Sequence, residues 1–488
     1  MIDHDVALIL PLVAAIGAAI VVVLVDLVLP NRPSVAVGVS LIGLAVVALL
    51  TLAANQNPGE AYGGAYKVDA LTTFLDLLFV AIIALTLVFA PDYLAPRGLP
   101  VAEFAVVLMF AMTGAMLIAA STDLLLLFLG LELMVLPGYM LAAFHKTDGY
   151  STEGAIKYFL LGSFSSAIFL FGLSFVWGIT GTTRVADVAA ALTTVATMPG
   201  AFSPGLAMGF AFLTTGVAFK IAAVPFHYWT PDAYQGSPTP VTGYLSVGPK
   251  IGAFALILRL FVEALAPLRG DWLPVVIVLA TLTMTVGNLI ALTQDNVKRM
   301  LAYSSIAHTG YMLVGLAAYA GGQQLGLEGL LFYAAAYSFM NLGGFAVIAA
   351  MQKRAGVTSS LDTFAGLGRR EPLLGALMTL FLLSLTGIPP TAGFFAKALV
   401  ILAAVQAGGW VSFLAVLAVI NAAIAAFYYL RVVVYMYMRE ATTDAEPPRH
   451  GRLLWSGLAV ATALTILLGF FPFLITGIIN QAATAIGG

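Results

Sequence analysis

Apolar runs of roughly twenty residues, separated by short polar or Pro/Gly-rich breaks, recur from one end of the chain to the other. A bilayer core about 30 Å thick is crossed by about 20 apolar residues in a helix, so the pattern predicts an all-α membrane protein of about 14 transmembrane helices. The runs lie near 6–29, 34–54, 69–90, 101–121, 123–144, 153–180, 205–227, 238–266, 272–294, 298–320, 325–351, 373–404, 410–438 and 453–482. The first follows Asp3, His4 and Asp5 rather than a basic segment and is too long for a cleavable signal, so it reads as the first membrane helix.

Positive charges test the parity of this count, because they collect in the loops on one side of the membrane. Alternate loops hold Arg32, Arg97, Lys146, Lys298, Arg299, Lys353, Arg354, Arg369, Arg370, Arg439, Arg449 and Arg452, against Lys67, Arg184 and Arg269 in the other set. The asymmetry predicts an even helix number with both termini on the outer face. Loop 181–204 reads as a short surface helix, and 439–452, with Glu440, Asp444, Glu446, Pro447 and Pro448, as a plain connector.

Composition removes the other classes. Of 488 residues, 61% are hydrophobic and 9% charged, which no soluble domain of this size approaches. A net charge of −2 offers nothing to nucleic acid. With no cysteine, disulfides, thiolate metal ligands, iron–sulfur clusters and thioether-linked haem are all excluded, and any redox chemistry belongs to another chain. No glycine-rich phosphate loop or ligand cluster is evident, so neither a cofactor nor a metal site is expected here.

What remains is the charge inside the helices. Lys157, Lys220, Lys250, Lys397 and, less clearly, Arg259 fall within the apolar runs. Each costs about 2.5–3.5 kcal/mol near a helix centre, so such residues face the bundle interior and usually mark an ion path. Glu132, in Leu-Gly-Leu-Glu-Leu-Met, is the most central acid. It either neutralises a buried lysine or titrates with it; at about 7 Å and an effective dielectric near 20 the coupling is roughly 2 kcal/mol. His227 and His308 are candidate proton relays, with hydrogen-bonded core members as the alternative. Lys157 sits just inside its helix and could snorkel, and snorkelling is the preferred reading for Arg259 and Arg431. Asp26 reads as interfacial, and Asp76 has no assignment.

Prolines break the helices beside these charges. Pro225 follows Lys220, Pro249 precedes Lys250, and Gly387-Ile-Pro389-Pro390-Thr-Ala-Gly393 precedes Lys397. Proline frees a carbonyl that only protein or water can satisfy in a membrane, and broken helices bearing ionisable groups are typical of transporters. A packing kink is the plainer alternative. Pro137-Gly-Tyr-Met-Leu141 is echoed by Thr309-Gly-Tyr-Met-Leu313, five helices on, and the two broken lysine segments share that spacing. An odd spacing inverts the copies, predicting two inverted five-helix repeats, helices 4–8 and 9–13, each with a broken helix. The chain then divides into three N-terminal helices (1–100), a first half-channel (101–266), a second (267–438), and a connector with the last helix (439–488).

Glu132 in Leu-Glu-Leu, the run Glu153 to Gly162, Phe219-Lys220 through Pro225-Phe-His227 to Asp232, Pro249-Lys250, and Asn296-Val-Lys-Arg through His308 together resemble one family. This is the antiporter-like proton-pumping subunits of respiratory complex I, related to multisubunit cation/proton antiporters and membrane-bound hydrogenases. The resemblance spans nearly the whole chain. It is closest to the N-type branch, since Lys397 stands where the M-type has glutamate and 488 residues leave no room for the long lateral helix of the L-type. It implies a Glu132–Lys220 charge pair, Lys250 as central relay, Lys397 as exit, and Lys157 as accessory. The implied setting is a bacterial plasma membrane, where other membrane subunits, including paralogues, are partners and protons the cargo. NADH, FMN, iron–sulfur clusters and quinone are implied to serve in other subunits. The resemblance leaves open a cation/proton antiporter or a ferredoxin- or hydrogenase-linked complex, and the plainest alternative is a scaffold for neighbouring chains.

Overall fold

A computed structural model describes residues 3–196, 203–353, 356–441 and 448–487. Nearly all of them are helical. In chain order the helices are α1 (His4–Val28), α2 (Pro33–Ala54), α3 (Ala70–Leu94), α4 (Val101–Ala120), α5 (Leu124–Ala142), α6 (Gly149–Thr180), α7 (Val185–Ala196), α8 (Pro204–Lys220), α9 (Trp229–Gly236) and α10 (Thr239–Ile257). They continue with α11 (Arg269–Ala291), α12 (Val297–Ala320), α13 (Leu325–Met351), α14 (Leu367–Arg370), α15 (Pro372–Thr386), α16 (Ala392–Ala407), α17 (Gly409–Met438), α18 (Arg452–Phe470) and α19 (Phe473–Gly487). Among the described residues, 11 helical spans are long and apolar enough to cross a membrane.

Helix starts follow local chemistry. Asp69, Asp123, Asp148, Ser203 and Asn296 each accept a backbone N–H from the first turn of α3, α5, α6, α8 and α12, satisfying donors that a helix N-terminus leaves free. Between α2 and α3 runs an antiparallel hairpin, β1 (Gly59–Ala61) against β2 (Tyr66–Val68), with Glu60 opposite Lys67. Its three-residue strands are too short to show in the hydrophobic pattern.

Several expected spans are interrupted. The run 205–227 stops at Lys220 and resumes as α9 only at Trp229, so part of the expected connector is helical. The run 373–404 divides into α15 and α16 around Gly387–Thr391. The expected single span 453–482 is two helices, α18 and α19, because Pro472 cannot continue the backbone ladder. The far end of α10 passes into a π-helical turn, Leu258–Ala264. Loop 181–204 does contain a short helix, α7, whereas Arg354 and the connector residues Asp444, Glu446 and Pro447 lie outside the described residues.

Packing ranks the helices by depth. α10 is buried along its whole length and α13 through nearly all of its own. α3, α4 and α5 pack against α10, while α9, α11, α13 and α16 surround α12. α1, α2, α6 and α17 instead present large apolar side chains such as Leu27, Ile42, Phe164 and Phe427 to the surroundings. Lipid-facing apolar surface of this kind is what a bilayer requires of an outer helix. The deep helices α10, α12 and α13, with the two broken pairs α8/α9 and α15/α16, hold the buried charges.

Candidate functional site

Lys250 lies mid-helix on α10, 1% exposed, and its Nζ donates to both the carbonyl and the Oγ of Ser305 at 2.6 Å. Ser305 Oγ also accepts from the Tyr337 hydroxyl of α13 at 2.8 Å. One turn along α12, Thr309 Oγ1 donates to the Ser305 carbonyl at 3.2 Å and to the carbonyl of Ile221 at 2.9 Å, just past the end of α8. This single hydroxyl therefore ties the central lysine's partner to the first broken helix.

His308 occupies the next position on that face, 1% exposed. One ring nitrogen bonds the Tyr333 hydroxyl at 2.7 Å and the other the Tyr429 hydroxyl at 3.2 Å, with Tyr429 in turn bonded to Ser304. The Tyr311 ring stacks on Tyr333, and Lys397 Nζ sits 4.8 Å from the Tyr311 ring centre, a cation–π contact. Lys397 also donates to the carbonyls of Leu385 at 2.9 Å and Thr386 at 2.8 Å. Those are last-turn carbonyls of α15, left free by the break and negatively polarised by the helix dipole. A polar line thus runs from Lys250 through Ser305, Tyr337, His308, Tyr333 and Tyr311 to Lys397.

Lys220 ends α8, 5% exposed, and donates to Ser166 Oγ at 2.8 Å and Gly162 O at 3.3 Å on α6. The break beyond it is held by Trp229 Nε1 on the Phe219 carbonyl at 3.1 Å and by the Val224 N–H on Thr283 Oγ1 at 3.0 Å. Gly162 must be glycine, because a Cβ there would fall on the Tyr139 hydroxyl. Glu132, one turn and a half before Pro137 on α5, is half-buried with Oε1 unpartnered among the described residues. Among the described residues no ion pair within 4 Å joins it to Lys220, whose amine is held by Ser166 and Gly162.

Two expectations are revised. Lys157 is not enclosed: its side chain is 43% exposed and joins Glu153 and Asp232, each at 2.7 Å, in a network that Arg299 completes at 2.7 Å from Asp232. It stands apart from the buried line. Arg259 does not snorkel; fully buried, it binds both Asp69 oxygens at 3.0 Å, Glu263 at 2.7 Å and the Ala119 carbonyl at 2.9 Å. Its partners come from a helix cap and a turn that the apolar pattern does not reveal. Asp76 is 2% exposed, two turns below Asp69 on α3, with Oδ1 unpartnered. His227 lies in the first break, 5% exposed and stacked on Tyr228. Arg431 reaches the Gln294 carbonyl near the end of α17.

Sequence reasoning passed over Ser305, Thr309, Tyr333, Tyr337 and Tyr429. Their signal was present as hydroxyls at helical i, i+4 spacing, Ser305 with Thr309 and Tyr333 with Tyr337. Among the described residues no group of three His, Asp or Glu side chains is disposed to hold a metal ion.

Interrupted helices that bury unpaired lysines and link them by hydroxyls and an imidazole define a multispan ion-path protein. The comparisons narrow this class. Residues 121–424 match the NADH:quinone oxidoreductase/Mrp antiporter transmembrane family, and the chain belongs to that family. NADH-quinone oxidoreductase subunit N of Trichlorobacter lovleyi is 42% identical over 440 residues, covering 90% of this chain and 87% of that one. Its counterpart in Chloroflexus aggregans is 39% identical over 490 residues, covering 99% and 98%. A chain of respiratory complex I from Thermus thermophilus superposes with a TM-score of 0.78 at 32% identity, over 96% of this chain and 98% of that one. A chain of the Mrp complex of a Dietzia species reaches 0.85 at 21% identity, over 100% and 98%, a likeness of fold alone.

Proposed function

We propose that this chain is the proton-translocating N-type membrane subunit of an NADH:quinone oxidoreductase, carrying the proton path while NADH, flavin, iron–sulfur clusters and quinone are handled by other subunits. The observation that carries the reading is the buried row in which Lys220 adjoins Ile221 in the chain, hydrogen bonds join Ile221, Thr309, Ser305 and Lys250, and hydrogen bonds with ring contacts lead on through His308 to Lys397. In it Glu132 and Lys220 are the first charge pair, Lys250 the relay, His308 the link, and Lys397 the exit, with His227 beside the first break and Lys157 accessory at the surface. A proton gained by one lysine raises the cost of charge on the next, by an amount that falls with their separation, so a change of charge state at one end is felt along the row.

In this reading the chain makes fourteen crossings of a bacterial plasma membrane. α8/α9, α15/α16 and α18/α19 are each one interrupted crossing, and both termini lie on the outer face. The division 1–100, 101–266, 267–438 and 439–488 follows, with two inverted five-helix halves. Support comes from the recurrence of a buried lysine beside each broken helix, Lys220 before the first break and Lys397 after the second, each bound to main-chain carbonyl oxygen.

In proteoliposomes holding the purified assembly, NADH plus quinone should acidify the outer compartment, on the side of the two chain termini. Lys220→Ala or Glu132→Gln should lower both acidification and turnover at least several-fold. Undiminished pumping by Lys220→Ala rules out the assigned role, and cation-driven exchange without an electron donor favours the antiporter-type alternative.

A further inference from the structure

Lys298 is the second residue of α12 and reads in the sequence as one more loop charge, yet it is 4% exposed and its Nζ donates to the Ser237 carbonyl at 2.5 Å. It lines a cavity of about 580 Å³ at the basic face, together with Arg97, His145, Asp148 and the exposed Tyr150. Inward of Lys298, the Ser237 carbonyl also accepts from Thr242 Oγ1 at 3.3 Å, and Thr242 Oγ1 donates to the Tyr234 carbonyl at 2.8 Å. The buried Tyr234 hydroxyl donates to Leu245 O at 3.0 Å, five residues before Lys250 on α10, and Lys250 is itself held by the Ser305 hydroxyl. Lys298 and Ser305 are seven residues apart, two turns on one face of α12, a rise of about 10 Å. One turn before Lys250, Ser246 Oγ accepts from Asn341 at 2.6 Å, and Asn341 Oδ1 is buried without a protein partner, an acceptor that a bridging water can satisfy.

We propose that Lys298 is a proton inlet at the basic face that feeds Lys250 directly, by a route separate from Glu132 and Lys220. The proposal rests on the translocating role argued above. An amine suits the position because, unlike a guanidinium, it can give up a proton and regain it. A proton arriving from the bulk as hydronium in the cavity forms an N–H bond on the neutral Lys298 amine as one O–H of the hydronium breaks, leaving water. A Lys298 N–H bond then breaks as an O–H bond forms on a water beside Thr242, and the hydroxyls of Thr242, Tyr234 and Ser305, bridged by water, each accept a proton on one side and release one on the other. The last O–H breaks as Lys250 Nζ gains the proton. One proton moves, the Lys298 amine is ready again, and nothing is oxidised or reduced.

The test compares quinone-linked acidification in proteoliposomes for the wild-type assembly and for assemblies bearing Lys298→Arg, Tyr234→Phe or Lys220→Ala, with subunit content checked by gel. Lys298→Arg keeps the positive charge and a donor for Ser237, and Tyr234→Phe keeps the packing. Each is expected to lower protons moved per quinone reduced by at least twofold in an intact assembly. Wild-type ratios in Lys298→Arg mean that the residue is only a structural cation, and wild-type ratios in Tyr234→Phe mean that the line is not used; either overturns the inlet. A loss with Lys220→Ala but none with Lys298→Arg overturns the inlet while leaving the translocating role standing. Failure of the wild-type assembly to acidify overturns that role itself.

Discussion

At the residue scale, the buried charges divide by the company they keep. Lys220 and Lys250 are ligated by hydroxyls and main-chain carbonyls and Lys397 by carbonyls alone, with no carboxylate in contact among the described residues, so either charge state can be accommodated by a small reorientation. Arg259 is the opposite case. Its guanidinium is matched by Asp69 and Glu263 and bound by a carbonyl, an arrangement that keeps charge in place and fastens the end of α10 to α3. Removing one partner of such a pair costs about 3–5 kcal/mol because the other is left buried and uncompensated. Arg259→Ala should therefore lower the detergent-phase unfolding midpoint markedly, and Arg259→Leu combined with Asp69→Leu should recover much of the loss. A midpoint unchanged by Arg259→Ala would mean that the cluster carries no structural load. Arg259 was visible in the sequence as a charge in a helix, but not its partners, since they lie 190 and 4 residues away in a cap and a π-helical turn.

At the element scale, the interruptions place the chemistry. α15 ends with Gly387 at φ 92°, in the left-handed region that glycine tolerates, and its free carbonyls at Leu385 and Thr386 become the ligands of Lys397 on α16. The two half-helices meet at Gly393, one turn before Lys397, where a Cβ would collide with the Ser384 carbonyl. Gly393→Ala should push α16 outward and pull Lys397 from those carbonyls. We expect a destabilisation of about 1–3 kcal/mol and a several-fold loss of quinone-linked proton movement, read in the same proteoliposomes. Full activity in the alanine variant would show that close contact of the half-helices is not needed. The prolines and glycines announced a break in both lysine-bearing segments. That α9 resumes at Trp229 and runs to Gly236 was not readable, because Trp229-Thr-Pro-Asp232 is too polar and short to show an apolar face.

At the scale of the whole molecule, separate helices are tied at the basic face by charge as well as by packing. His450, 3% exposed, contacts Asp92 at the end of α3 at 3.5 Å and Glu371 before α15 at 3.2 Å, while Lys353 reaches Asp92 at 3.2 Å. Burial works against its protonation, but the Asp92 carboxylate beside it and the Glu371 carboxylate it bonds outweigh burial and hold the imidazole above its ordinary value of 6.5. A group raised on folding adds stability that is full below its unfolded value and fades as pH climbs through the folded one. The thermal midpoint of the solubilised protein should thus fall as pH rises from about 6.5, and His450→Asn should flatten that slope. A slope that persists in His450→Asn assigns the effect elsewhere.

Membrane residence, the helical class, the two broken lysine segments and the family were settled by the sequence alone. Twenty-residue apolar runs and charges too costly to bury idly are local properties of a chain, and they survive without knowledge of its neighbours. Which charges stand in one line was decided only by tertiary structure. Lys250 meets Ser305 across 55 residues and Arg259 meets Asp69 across 190, and no periodicity along one helix encodes which face of a distant helix it will touch. The same holds for Lys298, a loop charge by position and a buried amine by packing, because burial depends on what folds over a residue rather than on what adjoins it in the chain.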